Sequence, residues 1–167
     1  MKHLWTPWRY KYLSSAQEKS DCIFCLAHQC IEKKECYVLY KSTHNLVLLN
    51  LFPYTNGHLM IAPLQHIATP LEATQEQLNE MTFLMKQSIL FMKEIYSPGG
   101  FNVGMNIGKC AGAGFSDHFH LHILPRWHGD TNFMATLSET RLIPEELDIT
   151  YEKLLPKYNT LIENKHN

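Results

Sequence analysis

The run Asp117-His118-Phe119-His120-Leu121-His122-Ile123-Leu124-Pro125-Arg126-Trp127 alternates three histidines with apolar residues. Strict alternation marks a strand, because successive side chains point to opposite faces. His118, His120 and His122 then line one face, with neighbours about 7 Å apart. Phe119, Leu121 and Ile123 fill the other face and pack into a core. Pro125 has no N–H to donate and is expected to end the ladder. Three imidazoles on an otherwise apolar strand need three sets of partners, so the row reads as a site. Strand histidines two apart suit a metal; a neutral imidazole can also act as a nucleophile near neutral pH.

Immediately upstream lies Gly104-Met105-Asn106-Ile107-Gly108-Lys109-Cys110-Ala111-Gly112-Ala113-Gly114-Phe115-Ser116. Backbone with few Cβ atoms can approach a ligand closely, and its N–H groups can form an anion nest. An anion cradle leading into a row of imidazoles points to phosphate chemistry.

Further out, residues 35–63 read as a β-meander with strands at 37–40, 46–50 and 58–62, separated by turn residues at 41–45 and 53–57. Their near-continuous apolar runs predict strands covered on both faces. Residues 74–96 form a long helix: Thr74 can cap it, Gln77 completes a capping box, and Pro98-Gly99-Gly100 stops it. Its Met and Phe residues are expected to be core packing. A fourth strand spans 101–106. A helix is expected near 144–155, with Pro156 interrupting it. His58 follows a turn glycine and is read as structural, and His44 as a surface turn residue. Arg126 has two open roles, an anion contact or a pair with Asp130.

The chain of 167 residues is 45% hydrophobic, enough for one domain with a real core. A net charge of −1 argues against nucleic acid or an anionic membrane surface as partner. No apolar run approaches the roughly 20 residues of a spanning helix, and Met1-Lys2-His3-Leu4-Trp5 does not read as a signal peptide. A cytoplasmic protein is the expectation. Five cysteines, an odd count, do not read as a disulfide framework. Cys22-Ile23-Phe24-Cys25 supplies two thiolates to one tetrahedral ion, or is a redox pair, or is two reduced core thiols; Cys30 and Cys36 are one local way to complete a metal site.

The histidine row resembles the signature of the histidine-triad (HIT) family. The phrase from His118 through Trp127 and on to Met134, with Leu4-Trp5-Thr6-Pro7-Trp8-Arg9, is similar to the bacterial branch that includes diadenosine tetraphosphate phosphorylases. The resemblance implies an α+β HIT-like fold: an antiparallel sheet of about five strands covered by one long helix, with a C-terminal helical segment. It divides the chain into an arm (1–21), a HIT domain (22–143) and a helical extension packed on it (144–167). In the arm, Trp5, Trp8, Tyr10 and Tyr12 either pack onto the domain, or a ring or Arg9 reaches a nucleotide pocket.

It also implies roles. His120 is the nucleophile, forming a covalent nucleotidyl-histidine at the α-phosphorus of a dinucleoside polyphosphate. His122 contacts phosphoryl oxygens or the leaving group, and His118 holds zinc or joins the hydrogen-bond array. Asn50 meets the ribose hydroxyls, while Leu49 and Leu51 border the base. Asn106, Gly112, Gly114 and Ser116 surround the phosphate. A structural Zn2+ is implied at Cys22, Cys25, His66 and His118. No organic cofactor is expected. Inorganic phosphate is the expected second acceptor, and a homodimer is implied. The loop departs from the common pattern: it is one residue longer and lacks a glutamine, for which Ser116 stands in. Two alternatives stay open: a HIT hydrolase releasing AMP from dinucleoside polyphosphates or phosphoramidates, and a nucleotide-binding scaffold without activity.

Overall fold

The structure is a computed structural model and describes residues 22–30, 34–130 and 145–163. The expectations for Trp5, Trp8, Arg9, Tyr10 and Tyr12, and for residues 131–144, lie outside the described residues. The elements run α1 (Ile23–Gln29), β1 (Val38–Lys41), β2 (Asn45–Leu49), β3 (Leu59–Pro63), α2 (Gln75–Tyr96), β4 (Gly100–Met105), β5 (Leu121–Arg126) and α3 (Leu147–Glu163). The five strands form one antiparallel sheet in the order β1-β2-β3-β5-β4. Together with its long and C-terminal helices this is the expected α+β fold. Among the described residues no helix is long and apolar enough to cross a membrane.

Alternation along the strands builds two cores, one on each face. Val47 and Leu49 of β2, Leu59 and Ile61 of β3, and Leu121 and Ile123 of β5 pack with Met81, Leu84, Phe91 and Met92 of α2 and with Leu154 and Tyr158 of α3. The opposite parity, Leu46, Leu48, Met60 and Ala62, packs against Phe24 and Ala27 of α1. This arrangement explains why β2 and β3 are buried at every position.

The helix signals hold in detail for α2. Gln77 N–H donates to Thr74 Oγ1, and Gln77 Oε1 accepts from Thr74 N–H. Ser97 closes the helix in the left-handed region at φ 46°. One expectation for α2 fails: Phe83 is 48% exposed rather than core, because it lies on the side turned away from the sheet.

Two proline expectations also fail. Pro125 lies inside β5, opposite Phe101 of β4. Beyond Ile123, β5 has β4 alone as neighbour, since pairing with β3 covers only Leu121 to Ile123; one side of the strand there needs no donor. Pro156 lies inside α3 without ending it. The carbonyl it leaves unbonded belongs to Glu152, on the exposed side where water can serve it. Leu154 and Tyr158 on the other side are fully buried, and the Tyr158 hydroxyl shares a 2.6 Å hydrogen bond with Ser88. That packing carries the helix through.

Candidate active site

Strand parity decides which side chains meet. Phe119, Leu121 and Ile123 enter the α2 core, so His118, His120 and His122 face the α1 side. The strand begins only at Leu121; His118 and His120 lie just ahead of it, and both are buried. Met60 of β3 and Gly104 of β4 flank His122 in register. The β4–β5 ladder ends at Met105 opposite Leu121, and Asn106 and His120 lie just beyond it on the two chains. A Cβ on Gly104 would meet nothing within 4 Å, so the surface beside His122 is open.

A chain of hydrogen bonds fixes the tautomer of each ring. His118 Nε2–H donates to the Pro63 carbonyl at 2.9 Å, which leaves the Nδ1 lone pair free to bind elsewhere. His120 Nδ1–H donates to the His118 carbonyl at 3.0 Å, which leaves Nε2 with a lone pair. Phe24 of α1 packs against the His120 ring, centroids 4.6 Å apart and planes 36° apart, and is itself fully buried.

The third ring is set by a residue expected to be merely structural. His58 is 1% exposed, and its Nε2 lies 2.9 Å from His122 Nδ1. Its own Nδ1 accepts from the Tyr54 N–H at 3.2 Å, with the Asn50 amide nitrogen at 3.3 Å. Nδ1 is therefore the acceptor, Nε2 carries the proton, and His58 donates to His122. His122 must then present Nε2–H to the open side. The array offers a lone pair at His120 beside a donor at His122.

Burial also keeps these rings uncharged. It pushes His122 down to about 4, with His120 as the lesser cause, and His58 down to about 3, aided by His122 and His120. His118 falls to about 4, first from burial, against the opposing Pro63 hydrogen bond. His120 is lowered by burial and partly restored by its bond to the His118 carbonyl.

The other expected ligand contacts separate. Asn50 is half-buried at the site, its Oδ1 accepting from the Phe52 N–H at 2.9 Å. Leu49 is 1% exposed and belongs to the α2 core on the opposite face of the sheet, whereas Leu51 is 49% exposed. Leu48 and Met60 have the parity that faces the histidines. In the loop, the Asn106 amide donates to the Gly112 carbonyl at 3.5 Å. Gly112 has φ 86° and open space around it, and Gly114 is exposed. The Ser116 hydroxyl donates to Asp117 at 2.9 Å. Arg126 pairs through two nitrogens with Asp130 and donates to Asn102 at 2.7 Å, so of its two open roles the structure shows the structural one.

Behind His118 lies a second cluster. Cys22 Sγ is 3.3 Å from His118 Nδ1, and Cys25 Sγ is 3.3 Å from His66 Nδ1 and 3.8 Å from His118 Nδ1. All four ligand atoms lie within 4.8 Å of one another. Sulfur and nitrogen donors on one tetrahedral ion sit about 3.5 Å apart, so two thiols and two imidazoles are gathered at close to the spacing of a metal site. The free lone pair on His118 Nδ1 suits that use. Cys30 and Cys36, for which no disulfide was expected and which were one local way to complete the metal site, are instead joined to each other by a disulfide. Their position six residues apart, at the end of α1 and just ahead of β1, brings them together.

An antiparallel sheet carrying a histidine row on one face, with a Cys/His cluster sharing its first histidine, defines a class of α+β site. The HIT domain family matches residues 32–129. Over 166 residues the chain is 32% identical to the AP-4-A phosphorylase of Mycobacterium tuberculosis, covering 95% of this chain and 85% of that protein. It is 28% identical to an adenosine 5′-monophosphoramidase of Schizosaccharomyces pombe, over 82% of this chain and 98% of that one. Among solved structures, a Zn-bound histidine triad family protein from Mycobacterium smegmatis superposes with a TM-score of 0.68 at 23% identity, covering 86% of this chain and 97% of that one. A hypothetical histidine triad nucleotide-binding protein from Sulfolobus tokodaii gives 0.66 at 26% identity, covering 84% and 93%. The chain belongs to the HIT family.

Proposed function

We propose that the protein is a nucleotidyl-transferring enzyme that cleaves diadenosine tetraphosphate at an α-phosphate and passes the nucleotide to inorganic phosphate, giving ATP and ADP. One observation carries the chemistry: His120 Nδ1–H is tied to the His118 carbonyl, leaving Nε2 as an aimed, uncharged nucleophile. The choice of phosphate as acceptor is supported by the likeness to AP-4-A phosphorylase across nearly the whole chain.

In this reading His120 Nε2 attacks the α-phosphorus, a P–N bond forms, and the P–O bond to the departing ATP breaks with its electron pair. His122 Nε2–H, oriented by His58, donates to the phosphoryl or bridging oxygen where charge develops. The Asn106 amide and the amides around Gly112 and Gly114 serve the equatorial oxygens. Asn50 is offered to the ribose, and Leu51 with the α1 side to the base. A phosphate oxygen then displaces His120, and the electron pair returns to Nε2. Leu49 has no part, being on the other face.

The Cys22, Cys25, His66 and His118 cluster is assigned to zinc on the chemistry of its donors. The ion would tie α1 to the start of β5 and so hold Phe24 against His120. Residues 22–143 form the catalytic domain in this reading, with α3 packed on it. A homodimer is proposed through the free edge of β4, where Val103 is 41% exposed.

The likeness to the monophosphoramidase favours a second reading, water as acceptor with release of AMP. Incubating the protein with diadenosine tetraphosphate, with and without inorganic phosphate, separates the two. ATP plus ADP only when phosphate is present is the expected result. AMP plus ATP regardless of phosphate sinks the phosphorylase reading.

A further inference from the structure

Among the described residues, the histidine face is nearly devoid of fixed positive charge. Residues 22–30, 42–76 and 97–125, which build the histidine face and its loops, contain one lysine or arginine, Lys109. Arg126, next along β5, is neutralised by Asp130. Lys41 at the outer strand gives its ammonium to the His28 carbonyl at 3.0 Å, and Lys86 and Lys93 ride on α2, behind the sheet. The histidines do not supply the charge: His58 and His122 each accept a hydrogen bond through Nδ1, so each keeps a lone pair and is neutral. An oligophosphate or an inorganic phosphate dianion would therefore meet one permanent cation among the described residues that build this site.

Lys109 is placed to be met. It opens the single turn Lys109–Ala111 at the tip of the loop between β4 and β5. Gly108 at φ 81° and Gly112 at φ 86° bracket that turn, and a Cβ at either would touch nothing within 4 Å. The Asn106 amide bonds Gly112, which closes the neck of the loop. Lys109 is three residues beyond Asn106, hence within about 10 Å along the chain. It is exposed, and no carboxylate among the described residues pairs with it; the loop's own acid, Asp117, is held by Ser116.

The direction of attack says which phosphate this cation serves. Displacement at phosphorus is in line, so the leaving chain departs opposite His120 Nε2. The second displacement must also be in line, so the acceptor enters where the leaving chain departed. A cation on that side of the α-phosphate would face the departing polyphosphate first and the incoming acceptor afterwards.

We propose that Lys109 is the specificity-determining residue that selects inorganic phosphate over water as the acceptor of the nucleotidyl-histidine. This rests on the phosphorylase reading above. Phosphate attack forms a P–O bond, breaks the P–N bond, and yields ADP; water attack on the same intermediate yields AMP.

The ratio of ADP to AMP at fixed phosphate reports the second step alone, whatever the rate of the first. Wild type, Lys109→Ala and Lys109→Arg would be compared with diadenosine tetraphosphate over a range of inorganic phosphate. Loss of a charge-assisted contact predicts a drop in the ratio of about tenfold or more for Lys109→Ala. Lys109→Arg should keep most of it, and added salt should lower the wild-type ratio toward that of Lys109→Ala. An unchanged ratio in Lys109→Ala, with wild type still phosphate-dependent, overturns the role of Lys109 alone. AMP from the wild type irrespective of phosphate overturns the phosphorylase reading and this inference with it.

Discussion

Replacing His58 with phenylalanine keeps a planar ring of similar size in a site that is 1% exposed, but removes both nitrogens. His122 Nδ1 then loses the donor that stood 2.9 Å away, and no other described residue bonds it. An orphaned buried acceptor costs about 1–3 kcal/mol. His122 can relieve that cost by moving its proton to Nδ1, which removes the Nε2–H donor from the open side. If the whole cost falls on the transition state, the first step slows roughly five- to 150-fold. The assay is rapid-quench formation of the nucleotidyl-enzyme, with a thermal melt to establish that the variant is folded. Because His58 acts through His122, the two effects must not add. In a His122→Ala background, His58→Phe should change the rate by less than about twofold. The reasoning is refuted if His58→Phe alone has no effect, or if its full effect persists once His122 is gone.

Acid should destabilise the protein in a defined window. His58 has its ordinary value of 6.5 when unfolded and about 3 when folded. Between those values the unfolded chain holds a proton that the folded chain does not, so stability falls as pH falls. The slope from this residue is about 1.4 kcal/mol per pH unit. Urea unfolding at several pH values below 6.5 should give a shallower slope for His58→Phe than for wild type; equal slopes would contradict the burial argument. The Cys/His cluster should bind about one zinc ion per chain, and cobalt in its place should show thiolate charge-transfer absorption. Cys25→Ala should lose that absorption and melt at lower temperature; full retention of metal would place the ion elsewhere.

The sheet and its site were legible where a local pattern carried them. The histidine alternation correctly assigned Phe119, Leu121 and Ile123 to the core, and the Thr74/Gln77 capping box correctly started α2. What local pattern cannot carry is pairing between distant strands. His58 has the parity of Met60, and Met60 pairs with His122, so its place in the array follows only once β3 is known to lie beside β5. The same knowledge puts Leu49 on the face away from the histidines and Leu48 on the face beside them. Phe24 sits between the thiols of Cys22 and Cys25, and no local pattern aims its ring at His120. Pro125 and Pro156 were read by local rule, whereas a one-sided strand edge and a buried Tyr158 decided otherwise. Arg126 fits either of its two roles by sequence alone, and only the folded turn gives it to Asp130.

The most direct test of the account is the covalent intermediate. The protein would be mixed with diadenosine tetraphosphate without inorganic phosphate, quenched within milliseconds to seconds, and its peptides analysed by mass spectrometry. The account predicts an added AMP on the peptide containing His120, none in His120→Ala, and loss of the label as ADP when phosphate is supplied. Turnover with no adduct, or an adduct on His118 or His122 instead, would contradict it.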